Sequence, residues 1–154
     1  MLAGLGVRPE IHLHPPVMTV AESLELVPEL PGCKTKNLFL RDKKRRRRFL
    51  FTAAHDRTVD LRALADRLGV QGLSFAPPQE LLEHLGVSPG SVSLLALIND
   101  RSRSVELVID ARVWSAEALQ AHPLDNAATA VLTHDMLERF LAATGHIPVI
   151  VDFP

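Results

Sequence analysis

Three short stretches carry side chains that could do chemistry together. Lys36-Asn37 stands at the mouth of an apolar segment, Gly90-Ser-Val-Ser93 forms a glycine-containing loop, and His122-Pro-Leu-Asp-Asn126 sets polar groups on a proline-stiffened loop. A lysine offers a cation, an amide offers donors, a glycine lets backbone N–H groups approach a ligand, and a histidine can position water or move a proton. Such a set suits a phosphorylated or ester-bearing ligand held beside an ordered water, with donors aimed at a developing oxyanion. The competing reading is a loop-rich fold with ordinary turn residues at these positions.

A fourth feature is electrostatic. Lys43-Lys-Arg-Arg-Arg-Arg48 places six cations in one turn of a chain whose formal net charge is −1. A turn so charged can grip phosphates, giving affinity without sequence reading, or it can serve as a solvated turn that protects a sheet edge. Other chemistries find no support. The seven histidines show no HExxH spacing, and the single cysteine, Cys33, allows neither a disulfide nor a CxxC site. GxSxG, GxGxxG and P-loop patterns are absent, which argues against a nucleophile elbow and against nucleotide cradles.

These residues need elements to hold them. Residues 34–41 alternate, with Leu38 and Leu40 facing one way and Asn37, Phe39 and Arg41 the other, the mark of a strand. Residues 48–54 make its hairpin partner across the basic turn. Further strands are expected at 11–14, 73–75, 92–98, 105–110, 129–132 and 148–151, with 105–110 pairing as a hairpin with 92–98. Helices are expected at the start of the chain, over 19–27 behind a Thr19 cap, over 60–68 ended by Gly69, over 78–85 ended by Gly86, over 113–119, and over 134–143 between a Thr133 cap and Gly145. The mixture predicts one α+β domain spanning 1–154, a mixed, mostly antiparallel sheet with helices packed on it. Hydrophobic residues are 47% and charged residues 23%, an ordinary globular balance. No apolar run is long enough to span a membrane and no signal peptide opens the chain, so a soluble cytoplasmic protein is expected.

The ordered set His14-Pro-Pro-Val17, Thr35-Lys-Asn-Leu-Phe-Leu-Arg-Asp42, Leu73-Ser-Phe75, Leu85-Gly-Val-Ser-Pro-Gly-Ser-Val92, Leu97-Ile-Asn-Asp100, His122-Pro-Leu-Asp-Asn-Ala-Ala-Thr129 and Phe140-Leu-Ala-Ala-Thr-Gly-His146 resembles the prolyl-tRNA synthetase-associated family. That family is similar to the editing domain inserted in bacterial prolyl-tRNA synthetases, and the resemblance is strongest to its freestanding alanyl-tRNA(Pro) deacylases. It implies an editing-type α+β fold and hydrolysis of the ester that joins alanine to the terminal adenosine of tRNA(Pro), with no metal and no cofactor. It implies that Lys36 is needed for activity, that Gly90 opens a loop whose residues Ser91, Val92 and Ser93 hold the terminal ribose and water through their backbone, and that His122 stands beside the same pocket. Asn37 and Asn126 belong to the substrate-binding set. Lys43, Lys44, Arg45, Arg46, Arg47 and Arg48 would contact tRNA phosphates. Leu94 departs from the family pattern, which has proline there. The implied partners are mischarged tRNA(Pro) and either prolyl-tRNA synthetase or elongation factor. Two other readings stand beside this one: a non-catalytic nucleic-acid binding module built on the basic hairpin, and an accessory protein that docks a synthetase through it.

Overall fold

The computed structural model describes residues 7–13, 32–123 and 127–152. The expected helix over 19–27, the His14-Pro-Pro-Val17 stretch and Asn126 lie outside them. β2 (Thr35–Asp42) and β3 (Arg48–Ala54) form the expected antiparallel hairpin, with Asn37 opposite Thr52. β4 (Leu73–Phe75) pairs with the far side of β2. β5 (Val105–Asp110) runs parallel to β3, and β8 (Val149–Val151) runs parallel to β5, giving a five-stranded mixed sheet in the order β4-β2-β3-β5-β8. A second, antiparallel sheet has the order β1-β7-β6, from β1 (Glu10–Leu13), β6 (Ala118–Ala121) and β7 (Ala128–Thr133).

Three of the described helices sit where the end signals put them. α1 (Leu61–Leu68) starts on the Asp60 carboxylate, which accepts from the Arg62 and Ala63 N–H groups, and stops at Gly69, whose φ of 70° suits glycine. α2 (Pro78–Leu85) carries Pro78 in its first turn. α3 (Ala111–Trp114) is a single turn capped by Asp110, and α4 (His134–Thr144) is capped by Thr133.

Four expectations are corrected. Residues 92–98 are not a strand: Leu94–Asn99 form a 3-10 segment capped by Ser93. The run Leu94-Leu-Ala-Leu97 is buried on every side, so it carries neither a period of two nor of 3.6 to distinguish the states. With no strand there, β5 has no hairpin partner and is instead paired on both sides in parallel, which explains its continuous apolar run. The helix expected over 113–119 ends at Trp114, and residues 118–121 are β6. The strands divide between two sheets rather than one.

The alternation of β2 and β3 separates two cores. Leu40, Phe49, Phe51, Ala53 and Val108 pack under Leu64 of α1. Phe39, Leu50, Leu107 and Ile109 face the opposite way, against Leu85, the 3-10 segment, the small sheet and Phe140 of α4. Each fully buried side chain of this size contributes about 1.5–3 kcal/mol from removal of its surface from water. β3, apolar on both faces, therefore anchors the end of the molecule at which Thr35, Ala54 and Asp110 lie.

Candidate functional site

A seam joins the two sheets where β2 begins. The Cys33 N–H donates to the Ala118 carbonyl and the Gln120 N–H donates to the Cys33 carbonyl, both at 2.9 Å. The Thr35 hydroxyl donates to the Gln120 carbonyl at 2.5 Å. Along this seam lies a small cleft of about 40 Å³, lined by Lys34, Thr35, Asn37, Gln120, Ala121, His122 and Thr129.

Two of these side chains have their polar atoms fixed. The Thr52 hydroxyl, directly across the hairpin, donates to Asn37 Oδ1 at 2.7 Å. With its oxygen engaged, the carboxamide is left to present its NH₂ donors at the cleft. His122 Nδ1 lies 3.1 Å from the Ala128 carbonyl. A carbonyl only accepts, so Nδ1 carries the proton and neutral His122 keeps a lone pair on Nε2.

Ser93 ties the second expected loop to the third. Its buried hydroxyl donates to the His122 carbonyl at 2.5 Å and accepts from the Leu95 N–H at 3.1 Å. Gly90 and Ser91 lie in a 3-10 turn, Pro89–Ser91, and the Ser91 N–H is spent on the Ser88 carbonyl at 2.9 Å. Val92 packs against the core, and Leu94 is itself buried in it, so position 94 serves packing.

Lys36 is placed differently. Strand alternation turns it to the face opposite Asn37, where its ammonium donates to the Arg57 carbonyl. The Arg57 guanidinium in turn meets the fully buried carboxylate of Asp110, Nε to Oδ2 at 2.6 Å. Asp110 also accepts from the Ala54 and Arg112 N–H groups, each at 3.1 Å. The structure thus brings Asn37 and His122 to one cleft, with buried Ser93 bracing the His122 carbonyl, and sets Lys36 on the reverse of the strand that carries Asn37. Cys33 lies near this group, and burial pushes its thiol above the ordinary value against the lowering effect of Arg112.

The six cations of the basic turn divide into two sets. Arg47 makes a two-pronged pair with Glu106 at 2.8 and 2.7 Å and lies over the Phe49 ring. Arg48 binds Glu80 at 2.6 Å and the Arg45 carbonyl at 2.7 Å, and Arg41 joins Glu80 at 3.3 Å. Burial alone would raise the Glu80 carboxyl, but the Arg48 hydrogen bond and the Arg48 and Arg41 charges outweigh it and hold the group below its usual range. Lys43, Lys44, Arg45 and Arg46 are exposed and have no acidic partner among the described residues. No three His, Cys, Asp or Glu side chains among the described residues gather in a group that could hold a metal ion.

The family described as "Aminoacyl-tRNA editing domain" matches residues 14–140 of this chain. The prolyl-tRNA synthetase associated domain-containing protein 1 of Xenopus laevis is 41% identical over 156 residues, covering 99% of this chain and 92% of that protein. The prolyl-tRNA editing protein ProX of Acetoanaerobium sticklandii is 38% identical over 133 residues, covering 86% of this chain and 81% of that one. The chain belongs to the aminoacyl-tRNA editing domain family. Its fold agrees: the crystal structure of hypothetical protein APE2540 superposes with a TM-score of 0.74 at 20% identity, covering 97% of this chain and 95% of that one.

Several residues of this editing domain's cleft escaped sequence reasoning. Lys34, Thr35, Thr52, Gln120 and Thr129 reach it or brace it. Thr52 was findable, because hairpin register puts it opposite Asn37. Gln120 was not, because its place depends on β6, which carries no strand signal of its own, and Thr129, though on the expected strand β7, meets the cleft only through the pairing of that strand with β6. Among the described residues, no helix of the editing domain is long and apolar enough to cross a membrane.

Proposed function

We propose that the protein is a trans-editing hydrolase of the translation apparatus in the cytoplasm, one editing domain over the chain, that deacylates mischarged tRNA(Pro), alanyl-tRNA(Pro) first among its substrates. The observation that carries the reading is the pairing of a fixed donor with a fixed acceptor: Asn37, locked by Thr52, and His122, locked by Ala128 and Ser93, on the walls of one small cleft.

The ester enters with its carbonyl oxygen toward the Asn37 NH₂. A water oriented by His122 Nε2 attacks the carbonyl carbon. As the tetrahedral intermediate forms, the oxygen gains charge and its hydrogen bond from Asn37 strengthens. The bond to the ribose oxygen then breaks, that oxygen takes the proton that the attacking water gave up to His122 Nε2, and alanine and free tRNA leave. An aminoacyl ester is already activated, so positioning and one oxyanion donor suffice without a nucleophilic side chain. In this reading the backbone of residues 90–93 takes the terminal ribose through groups other than the Ser91 N–H, Asn126 belongs to the substrate-binding set, and Lys36, on the reverse of the strand, supplies positive charge for the tRNA end. A cleft that admits a methyl group and clashes with a pyrrolidine ring spares prolyl-tRNA(Pro), the logic of a second sieve. Prolyl-tRNA synthetase or elongation factor would hand over the substrate.

The test is to incubate the protein with alanyl-, cysteinyl- and prolyl-tRNA(Pro) beside Lys36→Ala and Asn37→Ala. Loss of alanine alone, suppressed in both variants, supports the reading. Persistence of all three esters at high protein concentration refutes it and leaves a binding module.

A further inference from the structure

We infer that the exposed cations Lys43, Lys44, Arg45 and Arg46 form a rigid anchor for the phosphates of double-helical RNA, at a distance from the cleft that excludes contact with the reacting ester. The inference rests on the editing reading only for the choice of RNA as partner.

The turn is built rather than loose. The Asp42 carboxylate accepts from the Arg46 N–H at 2.8 Å and the Arg47 N–H at 3.1 Å. The Asp42 N–H donates to the Arg47 carbonyl, the Arg45 N–H returns to the Asp42 carbonyl at 3.0 Å, and the Lys43 N–H donates to the Gly72 carbonyl. The backbone N–H groups of Arg47 and Arg46 hold the Asp42 carboxyl below its usual range, so it stays ionised and in place at neutral pH. Arg48 reaches back to the Arg45 carbonyl from inside the hairpin. Local conformation alone would favour a different residue at the apex. Arg45 has a φ of 58°, where hairpin turns ordinarily use glycine or asparagine. A side chain kept at a strained position points to use of its charge.

Charge and place then choose the ligand. Arg47 and Arg48 are neutralised by Glu106 and Glu80, so the apex set of four remains. At physiological salt, interactions between exposed charges fade over about 8 Å, so the chain's net charge of −1 does not cancel this patch. Asp42 ends β2 and Lys36 lies one residue inside its other end, roughly 20 Å away at the rise of a β-strand. A ligand that touches both must be long and evenly anionic. With the acylated end of tRNA in the cleft, the turn meets the backbone of the adjoining duplex, where contact is to phosphates and sugar.

The experiment measures the affinity of the whole protein for uncharged tRNA(Pro) across a range of salt, which involves no ester and no hydrolysis. The variant Lys43→Gln/Lys44→Gln/Arg45→Asn/Arg46→Gln is expected to lower the slope of log affinity against log salt by about 3–4, near 0.9 for each phosphate no longer neutralised. Lys43→Arg/Lys44→Arg should keep the slope, and Arg47→Gln/Arg48→Gln should leave it unchanged while lowering the melting temperature. A slope unaltered in the quadruple variant, or an equal drop in the Arg47/Arg48 variant, overturns the inference. So does an equal effect of the quadruple change on a short single strand carrying only the tRNA 3′ end, or tighter charge-dependent binding to phosphatidylserine vesicles than to tRNA. Deacylation that persists alongside such a failure would leave the proposed hydrolase standing.

Discussion

Removing one buried oxygen should uncouple the site. Ser93 has no exposed surface, and among the described residues its hydroxyl is the one side-chain group that links the 3-10 segment to the His122 loop by hydrogen bonds. Ser93→Ala strands two partners. The Leu95 N–H loses its cap, worth about 1 kcal/mol. The His122 carbonyl loses its donor, and a buried acceptor left unpaired costs about 1–3 kcal/mol. Together these predict a loss of about 2–4 kcal/mol, a fall in melting temperature of about 5–15 °C for a chain of this length. The cavity is one oxygen wide, so it adds little. Deacylation measured well below the melting range should fall about 10- to 100-fold, because His122 is freed to drift against Asn37 by a fraction of an ångström to an ångström. The fall should lie in kcat more than KM, since the basic turn that would grip the RNA backbone lies at the far end of β2. Circular dichroism melts and single-turnover deacylation read the two effects. A variant that melts within about 1 °C of the parent and keeps its rate would refute both the energetic role of this hydroxyl and the placement of His122 in the site.

Other expectations follow from the same geometry. Thr52→Val keeps shape but leaves Asn37 Oδ1 without its donor, so activity should drop about tenfold with a stability change near 1 kcal/mol, read by kinetics and melting. Asp110→Ala leaves the Arg57 guanidinium and the Ala54 and Arg112 N–H groups without their acceptor at a fully buried position, and should cost about 3–5 kcal/mol in denaturant unfolding. Asp100 is buried; desolvation alone would raise its carboxyl, but hydrogen bonds from His146, Val105 and Ser104 prevail and lower it. A depressed carboxylate adds stability above its unfolded pKa of about 4, and that stability is lost as pH falls through the folded value. Melting temperature should therefore drop on acidification below about pH 4, less steeply in Asp100→Asn. Gly32→Ala introduces a Cβ at a φ of 97° within 3.1–3.2 Å of the Ala118–Leu119 backbone, so it should loosen the seam, seen as faster hydrogen exchange at Gln120.

The legible parts of the fold were those written in local signals. The β2–β3 hairpin shows alternation around a charged turn, α1 and α4 carry their own caps, α2 carries a proline in its first turn, and all three end on glycine. The same alternation already places Lys36 opposite Asn37. What stayed hidden depends on distant partners. Leu94–Asn99 has no period because its apolar run is buried on all sides, the partners of β5 are recognised only once β3 and β8 flank it, and β6 forms because β7 pairs along it and Cys33 and Thr35 bind its backbone. In the site, residue types pointed to Asn37 and His122, which line the cleft, and equally to Lys36 and Gly90, which do not, whereas the division of the basic run into braced and exposed cations required knowing where Glu80 and Glu106 fall.

The cleft straddles the seam between two sheets, with Thr35 and Asn37 on one side and Gln120, Ala121 and His122 on the other. Its width is therefore the gap between two sheets joined through one shared core, and thermal breathing of that gap blurs any distinction by size. A filter that tells a methyl from a ring can be no finer than the amplitude of its own walls. The backbone and hydroxyl bonds through Cys33 and Thr35 act as the spring constant of the filter. On the proposed function, fidelity is then a mechanical property: softening the seam would trade accuracy for breadth without altering any group that touches the ester.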